Sequence, residues 1–383
     1  MFPTLDERSE RALELIAAAY RHEPVAEPPV LIGDVNYWIT GEDPALVPDD
    51  YFEEGGFASM QAFQERKIAA HLERYDDIYV PFLFPWYGTG VVPSALGCRI
   101  LFQRGEEPAV EGAVLRVPSD VARLSPPDPE RDGLMPRVLR CIDHMRAHST
   151  LPVSFTDAQG PLNIALNLVG VETLCLWMYD CPTVVHELMD LCTTTFIDWV
   201  TLQKTRAGAP RDGGAFPHKI ALPQGVGGVW LSDDDSTILS PELYREFVVP
   251  YNSRIFRTFG GGTLHYCGNA DHQLENFLAT DGLVGINVWC MGEFAQVFRA
   301  QEIFRGRIAV MVCDTTPVEM DAYFRDLFAS LRPAGTIVAT YPSATTALRY
   351  GKARAEIVLR DVAQVGAEAW TTIGRHIRRG VAG

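Results

Sequence analysis

The chain has 383 residues, 47% of them hydrophobic, enough for one large α/β domain or two smaller ones. Its 33 Lys and Arg against 49 Asp and Glu give a net charge of −16, which argues against a nucleic-acid partner. No run approaches the ~18 apolar residues of a membrane span, Met1–Glu14 lacks the apolar centre of a signal peptide, and the eight cysteines include no CxxC pair. The expectation is a cytoplasmic protein with reduced thiols.

Residues 1–28 read as a helical extension and 29–383 as a single barrel domain. Pro29–Trp38 (PVLIGDVNYW) reads as the first strand, Ser59–Tyr75 as an amphipathic helix and Ile78–Phe84 as the second strand. Alternation around Gly105 and Gly112 makes Cys98–Val117 a hairpin excursion, and the Pro- and Asp-rich stretch Asp120–Asp132 a surface connection. Helix Met135–Ala147 leads to strand Pro152–Thr156, then helices Val171–Tyr179 and Pro182–Thr205, the latter opening on proline.

The second half is more regular. Strand Gly228–Ser232 precedes helix Pro241–Thr258, with Ser240 as its N-cap. Strand Thr263–Tyr266, helix Asp271–Ala279, strand Leu283–Val288, helix Glu293–Phe304 and strand Ile308–Val312 follow. Helix Pro317–Leu331, strand Gly335–Thr340 and helix Thr345–Val365 complete the series. Eight strands joined by short connections favour a (β/α)8 TIM barrel over an open doubly wound sheet, and no G-x-G-x-x-G opens the first β-α unit.

Barrel chemistry sits where strands hand over to loops at the C-terminal face. Those positions carry Asn36, Tyr37, Trp86, Tyr87, Trp289 and Tyr341 as candidate pocket walls. Asp157 and Gln159 are placed to orient a substrate. Asp234, within the Asp233–Asp235 run, and His218, in a Gly-rich connection, are candidate catalytic residues, His218 as an acid-base group or simply an exposed side chain. No Lys or Arg stands among these positions, which suits a cation, a metal or a largely neutral molecule better than a polyanion.

His265 and Cys267 are the most informative pair. Two residues apart at the end of a strand, they point the same way and can grip one soft ion from one backbone segment. Imidazole plus thiolate selects zinc, and a catalytic zinc needs three protein ligands. Cys313, at the end of IAVMVC, is the first choice for the third; Cys290 and Asp233–Asp235 are reserves. The plainer reading is that Cys290 and Cys313 fill the core and the aspartates form a solvated loop.

The segments Asp157–Asn163 (DAQGPLN), Val185–Asp190 (VHELMD), Leu239–Tyr251 (LSPELYREFVVPY) and above all Leu264–Asn269 (LHYCGN) resemble the uroporphyrinogen decarboxylase superfamily. That superfamily of (β/α)8 barrels includes the porphyrinogen decarboxylases and the zinc methyltransferases that serve corrinoid proteins. The resemblance implies zinc at His265 and Cys267, a small-molecule substrate, and a corrinoid carried by a partner protein. In the methyltransferase branch a later cysteine near the last strand is the third ligand. Here the last strand, Gly335–Pro342, has none, so Cys313 or Asp234 must complete the site. The decarboxylases open their barrel on an arginine-bearing segment; here Ile32–Trp38 contains no basic residue.

These features favour methyl or alkyl transfer at a metal. Two alternatives stay open: a metal-independent decarboxylase or other lyase, and a non-catalytic barrel that binds a ligand or partner.

Overall fold

The computed structural model describes residues 6–25, 28–33, 50–74, 77–102, 108–216, 220–290, 292–315, 326–327 and 330–341. Six parallel strands form the central sheet. They are β1 (Val30–Ile32), β6 (Val229–Ser232), β7 (Gly262–Cys267), β8 (Leu283–Trp289), β9 (Ala309–Thr315) and β10 (Thr336–Tyr341), in the order β1-β10-β9-β8-β7-β6. Two extended segments close the ring. Ile78 N donates to Val30 O, Leu83 bridges Val153 in parallel, and Gln159 bridges Ser232. With these two the wall has its eight expected members, and the fold is an α/β TIM barrel. The second and third members make only isolated bridges, because Pro81, Pro85 and Pro152 interrupt them with residues that lack an N–H.

The hairpin excursion is present as β2 (Arg99–Leu101) paired antiparallel with β3 (Ala109–Glu111). A second small hairpin, β4 (Gly214–Phe216) with β5 (Ile220–Leu222), was not evident from the sequence, and neither was the helix Pro161–Val169. The helix is buried on nearly every side, so its sequence lacks the polar face that gives a 3.6-residue period. The single helix expected over Pro241–Thr258 breaks into Pro241–Phe247 and Val249–Thr258. Pro250 causes the break, since its ring clashes with the carbonyl four residues back and it offers no N–H. Helix Pro317–Leu331, apart from a few of its residues, and helix Thr345–Val365 lie outside the described residues.

The amino-terminal helix Glu7–Tyr20 starts on Asp6, whose carboxylate accepts from Ser9 N at 2.8 Å. It packs across the amino-terminal end of the barrel. Tyr20 reaches inside, its hydroxyl 2.8 Å from Thr263 Oγ1 on β7. A β-carbon at Gly285 on the next strand would stand 2.6 Å from the Tyr20 ring, so only glycine leaves room for this plug. Asp77 ties the same region together. It bonds Arg8 on the amino-terminal helix at 3.1 Å, His71 on the Phe57–Arg74 helix at 3.1 Å and the backbone N–H of Ile32 in β1 at 2.7 Å. Among the described residues no single helix is long and apolar enough to cross a membrane.

Candidate metal centre

Strand alternation sets what faces the barrel interior. Thr263 faces inward, as its bond to Tyr20 shows, so His265 and Cys267 on β7 share that face. Register aligns His265 with Asn287 of β8 and with Ser232 of β6, and aligns Cys267 with Trp289. Beneath the histidine lies the Trp230 ring, 6.4 Å between centroids and nearly parallel.

Three ligand atoms converge at the carboxyl-terminal mouth. His265 Nε2 lies 3.4 Å from Cys267 Sγ and 3.6 Å from Asp234 Oδ1, and the three atoms lie within 4.8 Å of one another. Asp234 opens the short 3-10 turn Asp234–Thr237 directly after β6, and its Oδ1 accepts the Cys267 backbone N–H at 2.9 Å. The carboxylate is thereby fastened to the strand that bears the other two groups.

Electrostatics prepare the trio for a cation. Burial lowers the pKa of His265, against the Asp234 carboxylate and the Asn287 hydrogen bond, which favour the charged form. The ring is therefore neutral. Its Nδ1 faces Asn287 Oδ1 at 2.5 Å, an oxygen that can only accept, so the proton sits on Nδ1 and the Nε2 lone pair faces Cys267 and Asp234. Cys267 is exposed at the mouth, yet desolvation of its sulfur by the surrounding protein, then the nearby Asp234 carboxylate, push the thiol above its ordinary range. Without a cation the sulfur stays protonated; a divalent ion would reverse this.

The other sequence candidates fall into three groups. Cys313 faces the interior in register with Trp289, two strands from Cys267, and is fully buried. With strands about 4.8 Å apart, its backbone lies roughly 10 Å from that of Cys267, and its sulfur is not one of the three converging atoms. Cys290 is also buried, its sulfur 3.5 Å from Asp314. Trp289 is half-buried beside Cys267, where a pocket wall is needed. Asp157 is half-buried and accepts its neighbour's N–H from Ala158, and Gln159 Oε1 accepts from Asn167 Nδ2 at 2.8 Å. Trp86 and Tyr87, candidate pocket walls, are buried. Trp86 packs edge-on against Tyr51 and Phe52. Asn36, Tyr37 and His218, and the side chain of Tyr341, lie outside the described residues.

Asn287 was missed from sequence, and Asp233 was read only as one of the reserve ligands in the Asp233–Asp235 run. Asn287 stands in the otherwise apolar strand LVGINVW, and a polar side chain buried there requires a partner. Asp233, fully buried, accepts from Tyr244 Oη at 2.6 Å and Asn252 Nδ2 at 3.1 Å, and burial pushes its carboxyl up to about 7. It faces the Pro241–Phe247 and Val249–Thr258 helices and anchors the loop that presents Asp234.

Comparison with known proteins bears on this arrangement. The family model for uroporphyrinogen decarboxylase (URO-D) matches residues 64–210. The resemblance to the URO-D superfamily holds. The URO-D match ends before β6, so the converging trio lies beyond it. A methylated-thiol–coenzyme M methyltransferase of Methanosarcina mazei is 27% identical over 193 residues, covering 50% of this chain and 47% of that protein. Uroporphyrinogen decarboxylases of Azotobacter vinelandii and Xylella fastidiosa are 26% and 24% identical over 191 and 180 residues, covering 48% and 45% of this chain and 47% and 45% of those proteins. The chain thus spans about half the length of the curated relatives it matches. A solved methyltransferase structure from Methanosarcina mazei superposes with a TM-score of 0.65 at 16% identity, over 95% of this chain and 98% of that one, which establishes the shared fold.

Proposed function

We propose that this protein transfers a methyl or other alkyl group to or from a small molecule at a zinc ion held by Asp234, His265 and Cys267. The observation that carries the proposal is the convergence of a carboxylate, an imidazole and a thiol at the open end of the barrel. Two tests support the fit. A tetrahedral zinc with ordinary bond lengths sets its N and S ligands about 3.6 Å apart and its N and O ligands about 3.4 Å apart. The observed separations are 3.4 and 3.6 Å. The charges also match, since a thiolate, a carboxylate and a neutral imidazole together balance a divalent ion.

When bound, the ion would supply Lewis acidity, lowering the pKa of a thiol substrate so that it attacks an alkyl donor as the thiolate. The chain's own residues do the remainder. Asn287 fixes the His265 tautomer and ring angle, and Asp234 takes its place as the third ligand through the Cys267 N–H. Trp289 walls the mouth next to Cys267. Asp157 and Gln159, on the wall segment that bridges Ser232, would orient the substrate by hydrogen bonds. The donor we infer is a methylated corrinoid carried by a partner protein. The similarity to a methylated-thiol–coenzyme M methyltransferase supports this reading.

The test is methyl transfer from free methylcobalamin to coenzyme M and to other small thiols. Zinc-loaded protein is expected to turn over, and chelated protein and Cys267→Ser are not. Equal activity with and without metal would overturn the proposal. The matches to uroporphyrinogen decarboxylases favour one rival, metal-independent decarboxylation. A polycarboxylate would meet Asp157 and Asp234 at the mouth, at a cost of several kcal/mol for each unpaired buried charge. Turnover of uroporphyrinogen by metal-free protein would establish the rival.

A further inference from the structure

A second site lies at the opposite, amino-terminal end of the barrel. A cavity of about 280 Å³ opens where β9 and β10 begin, lined by His22, Gln301, Arg305, Gly306, Arg332 and Gly335 among others. Its size suits one small charged group rather than an extended cofactor.

Three independent observations distinguish this cavity from an ordinary crevice. The first is charge. The protein carries 49 acidic residues against 33 basic ones, yet among the described residues neither Arg305 nor Arg332, nor adjacent Arg307, has a carboxylate partner. Among the described residues the Arg305 side chain donates only through Nε, to the Glu302 carbonyl, and its terminal nitrogens meet no acceptor there.

The second is backbone conformation. His22 (φ 54°) and Arg305 (φ 44°) are the only non-glycine residues with positive φ among those described, and both line this cavity. Each occupies a left-handed position at a helix carboxyl terminus, where glycine is the usual residue. His22 N bonds Ala19 O and Glu23 N bonds Ala18 O, closing the amino-terminal helix. Side chains retained at two such positions around one cavity point to a use for those side chains.

The third is the His22 ring. It lies against Gly335, where a β-carbon would come within 2.1 Å of Nδ1. Its Nε2 is buried and has no hydrogen-bond partner.

We infer that this cavity is a binding site for a small oxyanion of the phosphate class, held by the guanidinium groups of Arg305 and Arg332 and by His22 Nε2. Guanidinium forks match the tetrahedral oxygens of phosphate, and a histidine can donate to one of them. Two helices end at the cavity and their carboxyl-terminal dipoles oppose an anion, each with about half a charge. Two full guanidinium charges, reinforced by Arg307, outweigh that. The site is independent of the metal reading and lies at the other end of the barrel.

The test is isothermal titration of the full chain with inorganic phosphate at constant ionic strength, with chloride as control, alongside thermal melting. Saturable phosphate binding is expected, weakened tenfold or more by Arg305→Gln and by Arg332→Gln, with the metal content of the protein unchanged. His22→Gly separates a ligand role from a structural one. Relief of the left-handed backbone should leave the free protein at least as stable, while phosphate raises its melting temperature less. Titrating a phosphate monoester beside inorganic phosphate tells a free ion from the head of a larger molecule, and competition between them at this site supports the inference. Phosphate binding no tighter than chloride, or equal in the arginine variants, would overturn it.

Discussion

Asn287 Oδ1 stands 2.5 Å from His265 Nδ1, and this contact turns the opposite ring nitrogen toward Cys267 and Asp234. Asn287 is itself fully buried, and its Nδ2 faces the Met311 carbonyl at 3.4 Å. The amide therefore has a fixed sense, with its oxygen toward the histidine.

Asn287→Leu should weaken zinc binding by about 10- to 100-fold, the usual loss when the group that orients a metal-bound histidine is removed. Competition with a chelator of known affinity measures it. Far-ultraviolet circular dichroism should be unchanged, because the site lies at the mouth and the wall is held by backbone pairing.

Cys313 supplies a contrast. Cys313→Ser should leave zinc stoichiometry intact, since its sulfur stands apart from the converging trio, whereas Cys267→Ser should reduce it. The interior position of Cys313 predicts a modest stability cost instead, about 1–3 kcal/mol for moving a hydroxyl into a fully buried position. Urea denaturation reads that term separately from metal content.

The sequence made the barrel legible because its second half keeps the two periods apart: short β-rich runs such as Leu283–Trp289 alternate with amphipathic helices such as Phe294–Phe304. The first half was harder, since the proline-interrupted segments around Leu83 and Val153 make bridges rather than ladders. The spacing of His265 and Cys267 marked them as candidate partners in one site, and the structure brings their side chains together. Asp234 as their companion was legible only as an alternative, because its approach depends on how the turn after β6 folds back to the Cys267 N–H. Trp86 and Tyr87 were legible only as aromatics that either wall a pocket or plug the barrel, and both are buried.

Lys204 makes a pH prediction. Its ammonium is buried, donating to Gly213 O at 2.8 Å and Gly228 O at 2.7 Å with the Phe155 ring 5.7 Å away. Burial lowers its pKa from 10.5 to about 7. Between those values the unfolded chain holds a proton that the folded chain has released, so this residue makes stability rise with pH from about 7 to 10.5. Below that window both states are protonated and the contribution to the slope vanishes. One group can supply at most about 1.4 kcal/mol per pH unit. Urea midpoints across this range should rise more steeply for wild type than for Lys204→Met. Parallel profiles would mean that the two carbonyls and the ring keep the ammonium charged.

Asp77 makes a stability prediction. Asp77→Ala removes the acceptor shared by Arg8, His71 and the Ile32 N–H, leaving a partly buried guanidinium and a buried amide unpaired. The expected loss is about 3–5 kcal/mol, seen as a shifted urea midpoint. Asp77→Asn, which keeps an acceptor oxygen, should lose less.

The most direct measurement of the central claim is X-ray absorption at the zinc edge of zinc-loaded protein, with metal content by elemental analysis. The account predicts about one zinc per chain with a single sulfur near 2.3 Å and nitrogen or oxygen near 2.0–2.2 Å, lost in His265→Ala. A shell with two sulfurs, a shell without sulfur, or wild type that retains no zinc would contradict it.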